Sequence, residues 1–494
     1  MKEKEIYNCH THVFTIDHVP NEFGRTFVPR ILSKIFTIKL VKWYYLNFTS
    51  RGNYKYKRFR HILKKIKYVI LRICKWTIIL YIAYVLLGFL FNWLFKILIN
   101  FFKVEYFFSK ELRKITNRFL TLGRYSLNYK SQAKIYDLLE KTYAKGTNIV
   151  VLSMDMDYME AGKPIKGYLE QLEELKNVKK TNSELLPFIF LDPRRIEETK
   201  SLSGKKNYVN LLRSELQKGN FNGIKMYPAL GYYPFDKSLI DSYLFAQEHQ
   251  IPLMTHCIEG SVFYRGKKKE EWCHHPILKY KKSGVEKPIA IPLPQSKNHQ
   301  WTTNFTHPLN YHCLLDPQIL SEYLGYECDL SKLKICLAHF GGSKEWYKYE
   351  ADGWNNYNKN ITHASLEDYQ RVKNTLNHGS KRSIWWNASW LSVIYDLMIR
   401  YENVYTDISF ILFNEDLFPM LKFILNDPKV ADKILYGTDY YVVTQKKTEK
   451  SLFHNLRGYL GEELFFKIAH ENPRKYLETK IVPPIKKKQK NEPS

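Results

Sequence analysis

The sequence lacks the cysteine spacing that would support a disulfide framework or a CxxC metal motif. Its 494 residues include seven cysteines, an odd number, and no two of them have CxxC spacing. Cys9, Cys257 and Cys336 lie in or beside apolar runs, where a cysteine is typically a small core residue. We therefore expect free thiols and a reducing compartment.

Two further absences narrow the class of protein. The N-terminal stretch MKEKEIYNCHTHVF has no apolar segment, so we expect no signal peptide, and no internal repeat is visible. Hydrophobic residues make up 45% of the chain, which excludes global disorder. The length suits one large barrel with insertions or about two to three smaller domains.

Short apolar runs recur along the chain, and most of them end in a polar or ionisable residue. Helix-like segments such as 131–145, 166–177, 207–218, 237–249 and 391–401 separate several of the runs. This alternation predicts a parallel sheet with crossover helices. Eight runs predict a closed (β/α)8 TIM barrel, although the pattern alone leaves an open doubly wound sheet as an alternative. The eight runs are 6–13, 147–153, 186–191, 222–226, 251–256, 334–339, 403–408 and 433–439.

Three connections are far longer than a simple loop between a strand and a helix. Residues 14–130, 257–333 and 340–390 each follow a strand, so we expect these insertions at the C-terminal rim, where TIM-barrel active sites lie. The barrel is predicted to comprise 1–14 and 131–478, with 15–130 as a helical insertion. The Pro- and Lys-rich tail, 479–494, is expected to be disordered.

Ionisable side chains stand at the ends of several predicted strands. The first run ends in His10 and His12, which the two-residue period of a strand places on one face. The fifth run ends in His256, the sixth in His339, and Asp439 closes the eighth. A single histidine at a strand end is usually a satisfied polar residue, but this ordered series is much harder to obtain by chance. It predicts a metal site at the rim.

Imidazoles and a carboxylate suit Zn²⁺ or a similar divalent ion such as Mn²⁺. A cation of this kind lowers the pKa of bound water to about 7 and so supplies hydroxide at neutral pH. Asp439 can bind the metal and also take the proton of the attacking water. His339, where it is not a ligand, can polarise a substrate carbonyl or protonate a leaving group.

The order HxH, Lys, His, His, Asp along eight strands resembles the amidohydrolase superfamily. The local strings are similar to those of the amidohydrolase-related branch (amidohydrolase 2), which includes enzymes like carboxymuconate-semialdehyde decarboxylase. These strings are NCHTHV at 8–13, GIKMYPALGY at 223–232, LMTHC at 253–257, LAHFGG at 337–342, NVYTDIS at 403–409, ILYGTDY at 434–440 and HENPRKYL at 470–477. The likeness covers 1–14 and about 131–478 and leaves out the insertion.

The resemblance implies one divalent ion or two. His10, His12, His256 and Asp439 would hold the first metal. His339 would be the catalytic histidine of a one-metal site or a ligand of the second ion. Binuclear members carry a carboxylated lysine on strand four that bridges the ions, and Lys225 occupies that strand. Here it is followed by Tyr227 and a proline, so Lys225 could instead face the substrate.

Several other side chains are candidates for contact with the substrate. They are Lys225, Tyr227, Arg265, His274 and His275, the last three in the long segment after strand five. For the residues in that segment, a role in a polar loop is at least as good an interpretation. Asp407 ends the seventh run, but the matching family string is usually structural.

The insertion after strand one has a composition of its own. Residues 30–118 hold twenty Lys or Arg and two acids, Glu105 and Glu111, within a chain of net charge +27. The uncharged run 77–95 is long enough to span a bilayer. Strand one precedes it and strands two to eight follow, so the segment must return, as a hairpin with 31–48, a re-entrant loop or interfacial helices. The basic run 51–75 would then meet anionic headgroups.

These features together predict a metal-dependent hydrolase that cleaves an amide, ester or lactone bond of a small-molecule substrate. We expect it in the cytoplasm, peripheral or re-entrant at the inner face of the membrane. The alternatives are a decarboxylase using the same site, a metal-dependent deoxyribonuclease, a non-catalytic membrane scaffold, and, for the insertion, a soluble lid or an oligomer interface. Nucleic-acid binding is disfavoured because the aromatic residues of the insertion lie in an apolar run. Homo-oligomerisation is left open.

Overall fold

The protein is described from a computed structural model that covers residues 5–23, 37–39, 42, 58, 61–69, 72, 85–90, 92–94, 131–260, 262–280, 289–353, 381–440 and 447–481. The chain divides into two compact units. The first comprises Met1–Phe14, Gln132–Ala161 and Lys166–Ser494, and the second comprises Thr15–Ser131 and Gly162–Ile165. Several segments singled out in the sequence lie largely outside the described residues. They are most of the apolar run 77–95 and of the basic run 51–75, the predicted partner segment 31–48 except for 37–39 and 42, and all but the first three residues of the expected disordered tail.

The first unit is a (β/α)8 barrel, which confirms the predicted fold. Its eight strands pair in parallel in the order of the chain, and each coincides with one of the eight apolar runs. The strands are β1 Tyr7–Thr11, β2 Asn148–Leu152, β3 Leu185–Phe190, β4 Gly223–Met226, β5 Leu253–Ile258, β6 Ile335–Gly341, β7 Val404–Asp407 and β8 Ile434–Leu435.

Backbone hydrogen bonds from β1 to the chain that follows β8 close the barrel. The amide of Cys9 donates to the carbonyl of Tyr436 over 2.8 Å, and the amide of Asp439 donates to the carbonyl of His10 over 2.8 Å. Closure removes both sheet edges, and it is the reason that the open doubly wound alternative does not apply.

Helices cover the outside of the barrel and bury one apolar side each. In the second helix, Leu172, Leu175 and Val178 recur at helical spacing and are buried, whereas the lysines of the same helix are more exposed. The helices are α1 Gln132–Glu140, α2 Tyr168–Thr181, α3 Pro193–Thr199, α4 Tyr208–Gln217, α5 Ile240–Glu248, α6 Asn298–Thr306, α7 Leu309–Leu315, α8 Pro317–Leu324, α9 Ser343–Lys348, α10 Lys381–Asn387, α11 Trp390–Arg400, α12 Phe418–Leu425, α13 Glu449–Leu460, α14 Glu462–Phe466 and α15 Asn472–Leu477.

Inward-facing side chains from the strands fill the middle of the barrel. Cys9, Val150, Phe188 and Met254 belong to this cluster, and Tyr476 of α15 packs against it. The hydroxyl of Tyr476 donates to the carbonyl of Leu253 over 2.7 Å, so the last helix is fixed to the bottom of the barrel. A filled interior leaves the C-terminal rim as the place for chemistry.

The long connections after β5 and β6 carry structure of their own. Three helices, α6 to α8, follow β5, together with the antiparallel pair Lys279–Tyr280 and Ile289–Ala290. After β6 come α9, a π-helix at Tyr349–Gly353, and α10. Both insertions therefore start from the rim at which β5 and β6 end.

The second unit is described in short pieces. Ile16–His18 form a 3-10 helix, and residues 61–69, 85–90 and 92–94 are helical. Where the chain is described, we find no helix with the length and apolar character that a membrane crossing requires.

Candidate metal centre

The two histidines of the first strand present their ring nitrogens to the rim. The Nδ1 atom of His10 lies 2.8 Å from the Asp407 carboxylate, and the Nδ1 atom of His12 lies 2.9 Å from the carbonyl oxygen of Leu152. Both partners are acceptors, so each Nδ1 carries the proton and donates it. This tautomer leaves the Nε2 lone pair of each histidine for a cation, which is the arrangement typical of metal-bound histidines.

Asp439 follows the last strand and faces these two rings. Its Oδ1 atom lies 3.6 Å from His12 Nε2 and 3.9 Å from His10 Nε2. The backbone of Asp439 has a φ of +54°, in the left-handed region that a non-glycine residue rarely adopts. Close approach of the chain also requires Gly437, since a Cβ atom there would lie 2.7 Å from the Cβ of His10. The turn after β8 therefore positions the carboxylate at some cost in backbone strain.

His256 and His339 complete the cluster from β5 and β6. Nδ1 of His256 lies 3.0 Å from Nε2 of His339, and the ring centres of His339 and His10 are 4.7 Å apart. The backbone at His339 has a φ of +72°, and the next three residues are also left-handed. The end of β6 therefore turns sharply and directs the imidazole inward. Backbone strain of this kind is characteristic of functional sites.

Asp407 and Ser409, at the end of β7, hold two of the histidines in place. Besides accepting from His10, the Asp407 carboxylate accepts from the backbone amide of His339 over 3.0 Å and from the hydroxyl of Ser409. The Nδ1 atom of His339 donates to the Ser409 oxygen over 2.8 Å, so its Nε2 atom carries the lone pair and faces Nδ1 of His256. Neither residue was among the predicted site residues. The position of Asp407 at a strand end, like that of His10 and His256, was the signal.

Charge and burial keep the site in the protonation state that a cation needs. Burial alone would raise the pKa of the Asp407 carboxyl, but the charge interaction and hydrogen bond with His10, together with His339 and Ser409, hold that pKa well below its usual range. Burial, reinforced by the neighbouring rings and Lys225, lowers the pKa of His12, His256 and His339 well below the ordinary value. These imidazoles are therefore neutral at pH 7 and able to bind a metal.

Lys225 and Tyr227 lie beside the cluster. The Tyr227 ring stacks on His256, with ring centres 4.0 Å apart, and Nζ of Lys225 lies 5.8 Å from the Tyr227 ring centre. The Lys225 side chain is fully buried, and its Nζ atom has no hydrogen-bond partner among the described residues. Burial, opposed by Asp407 and Asp439, lowers the pKa of Lys225 to about 8. A buried amine without a partner is costly and so indicates function.

The donor atoms fit a divalent ion. Two sets of ligand atoms lie within 4.8 Å of one another, one from His10, His12 and Asp439 and the other from His10, His339 and Asp407. Ligands of a tetrahedral zinc ion stand about 3.3 Å apart, close to the separations found here. Nε2 of His10 and Nε2 of His256 are buried without a hydrogen-bond partner in the described part of the chain. His256 belongs to neither set and joins the cluster through His339.

Three of the predicted substrate contacts lie in the segment that follows β5. The guanidinium of Arg265 lies 5.3 Å from the Phe263 ring, and His274 is exposed. His275 is buried, with Nε2 2.7 Å from the side-chain oxygen of Asn310 and aromatic rings around it. The contacts found for His275 are thus those of a packed side chain, and a role in substrate binding stays a prediction for all three residues.

A cavity of about 510 Å³ opens among the loops that follow β5, β6 and β7, the strands that carry His256, His339 and Asp407. Phe410 lines it, with a ring centre 6.0 Å from that of His339. Much of its wall is aromatic, with Trp385, Trp386, Trp390 and Phe413 in addition to Phe410. Polar and charged side chains line the rest, so the rim offers a cavity with a partly aromatic wall beside the histidine cluster.

Comparison with known proteins gives likeness of fold only. No family model matches the sequence, and no curated protein matches it. The similar solved structures include the following three. A TIM-barrel protein of Bordetella bronchiseptica has 13% identity over 71% of this chain and 84% of its own, with a TM-score of 0.37. An amidohydrolase of Mycobacterium avium subsp. paratuberculosis has 13% identity over 70% and 74%, with a TM-score of 0.31. A protein of Lactobacillus casei, named provisionally as a metal-dependent hydrolase, has 10% identity over 96% and 95%, with a TM-score of 0.34. Likeness at this level carries no argument about function.

Proposed function

We propose that this protein is a metal-dependent hydrolase of the amidohydrolase type, which cleaves an amide, ester or lactone bond with an activated water molecule. The observation that carries the proposal is the buried cluster of four histidines and Asp439, in which Asp407 and Ser409 fix the rings of His10 and His339. Hydrogen-bond partners that orient the metal-binding histidines in this way are typical of metal sites in proteins.

Each side chain has a part in the proposed reaction. His10, His12, His256 and Asp439 would hold a divalent ion, Zn²⁺ or Mn²⁺, and His339 would join them where two ions bind. The ion would supply an activated water and polarise the scissile carbonyl. Asp439 lies beside both β1 histidines, and burial raises the pKa of its carboxyl to about 6, so the carboxylate is a base strong enough to take a proton from water.

Two further groups suit the substrate. The Lys225 amine would face the substrate or, once carboxylated, bridge two ions, because it is buried beside the cluster without a partner. The aromatic cavity would take the apolar part of the substrate, since Trp386 and Phe410 line it and Phe410 adjoins His339. We therefore expect substrates with an aryl or other large apolar group on one side of the scissile bond.

The test is hydrolysis of a panel of aryl and alkyl esters, N-acyl amides and lactones by protein loaded with zinc or manganese. We expect turnover of at least one class, loss of turnover with a chelator, and a fall of about 100-fold or more in kcat for Asp439→Asn. Asp416→Asn, which changes an exposed acid elsewhere, is the matched control and should keep full activity.

The outcome against the proposal is hydrolysis that persists in the Asp439→Asn variant or in the presence of the chelator. Release of carbon dioxide from aryl carboxylates, with no hydrolysis of any class in the panel, would also contradict it and would indicate a decarboxylase instead.

A further inference from the structure

The described helical residues of the second unit expose apolar side chains to an unusual degree. Of the twenty-one exposed large hydrophobic residues in the described chain, twelve lie in three short stretches, 61–69, 85–90 and 92–94. Phe89 is 75% exposed and Leu87 is 64% exposed. Single exposed hydrophobic residues are ordinary on a protein surface, but a concentration of this size marks an interaction surface.

The stretch 85–90 is apolar on every side. Val85, Leu86, Leu87, Phe89 and Leu90 are consecutive but for Gly88, so they point in all directions around a helix, and all are exposed. A Cβ atom at Gly88 would meet no other atom within 4 Å. A helix that is hydrophobic all round is stable only in the core of a protein or in lipid.

The stretch 61–69 is amphipathic and basic. Ile62, Ile66 and Val69 recur at helical spacing on one stripe, Lys64 and Lys67 lie on the opposite side, and Lys65 lies at the edge of the stripe. All nine residues are exposed. A helix with an apolar stripe and a lysine-rich remainder is the kind that lies in the interface of an anionic bilayer.

The positive charge of residues 30–118 indicates which kind of partner binds the exposed apolar side chains. Residues 30–118 carry twenty basic and two acidic side chains, so two copies of this surface would repel each other. Nucleic acid would satisfy the charge but would leave the apolar side chains in water. A bilayer with anionic headgroups satisfies both, because the acyl region accepts the apolar side chains and the headgroups attract the lysines.

We propose that the exposed residues of 61–69, 85–90 and 92–94 form a membrane-docking surface that binds the face of an anionic lipid bilayer. The apolar side chains enter the boundary of the acyl region, and the basic side chains lie at the headgroups. Trp93, which is exposed, suits the interface between the two. This inference rests on the insertion alone and does not depend on the hydrolase proposal.

The experiment is flotation of the full-length protein with vesicles of phosphatidylcholine alone and of phosphatidylcholine mixed with phosphatidylserine. We expect binding to the mixed vesicles, weakened by added salt. Lys64→Gln/Lys65→Gln should weaken that binding about 25-fold, since each basic residue contributes about fivefold. Leu86→Ser/Phe89→Ser should weaken it as well, by removing apolar contact.

Matched controls lie on the barrel unit. Lys205→Gln/Lys206→Gln and Leu169→Ser/Leu244→Ser change exposed residues of the same types and should leave vesicle binding unchanged. Circular dichroism, measured for every variant, should match that of the wild type and shows that the barrel is folded.

Three results would overturn the proposal. One is no binding to either kind of vesicle. Another is binding that the lysine and apolar variants leave unchanged. A third is a discrete oligomer in size-exclusion chromatography that Leu86→Ser/Phe89→Ser converts to a monomer, because a second copy would then be what covers the surface.

Discussion

Replacing Asp407 with asparagine is expected to lower the affinity of the protein for zinc by about 10- to 100-fold, although Asp407 need not bind the ion. The carboxylate accepts from Nδ1 of His10 and thereby keeps the lone pair on Nε2. An amide at this position can donate to Nδ1 instead, and the proton of the imidazole would then move to Nε2, the atom that should bind the metal. Competition titration with a zinc chelator measures the change.

Asp155→Asn is the control for this experiment. Asp155 is buried and pairs with Arg195, so its loss should destabilise the barrel by breaking a buried ion pair while leaving the metal affinity unchanged. Equal zinc affinity in Asp407→Asn and the wild type would show that Asp407 does not set the tautomer of His10.

Replacing Lys225 with methionine is expected to stabilise the metal-free protein by about 2–3 kcal/mol at pH 7. The amine is fully buried, and no described residue offers it a hydrogen bond, whereas methionine fills a similar space without a charge. Because burial depresses its pKa to about 8, the lysine lowers stability in full below pH 8, and the effect fades as the pH rises toward the unfolded-state pKa of about 10.4. Chemical denaturation at pH 7 and pH 10 measures both points.

Lys334→Met is the matched control. Lys334 is also buried, but its Nζ atom donates to the carbonyl oxygens of Glu478 and Lys475, so its loss leaves two acceptors unpaired and should destabilise the protein. If Lys225→Met were destabilising as well, the native protein would have to satisfy that amine, and its burial would not indicate a functional role.

The fold could be predicted from the sequence because most barrel strands are short, largely apolar runs between amphipathic helices. Buried parallel strands require such runs, and eight of them with regular crossovers leave few other topologies. The strand that begins at Val404 shows what could not be predicted from the sequence. Its last residue, Asp407, ends a string that is usually structural in the resembling family, and the sequence alone does not show that its carboxylate contacts the His10 ring and the His339 amide.

The rest of the site could not be predicted, because it depends on tertiary geometry that local sequence patterns do not specify. Ser409 contributes through its position two residues beyond Asp407, at the point where the chain leaves β7. The left-handed backbone at His339 and Asp439 arises from tertiary packing, as at Gly437 against His10, and no sequence propensity predicts it. Long loops are equally hard to place. His275 stands next to the exposed His274 and is itself buried among aromatic rings.

The metal content of the purified protein decides whether the cluster at the barrel rim binds a divalent cation, as the proposed function claims. Mass spectrometry of the wild type, after equilibration with zinc or manganese and removal of the excess, should give about one or two equivalents. The His10→Ala/His12→Ala variant should give none, while circular dichroism shows that it is folded. Absence of metal from the wild type, or the same metal content in the variant, would contradict the claim.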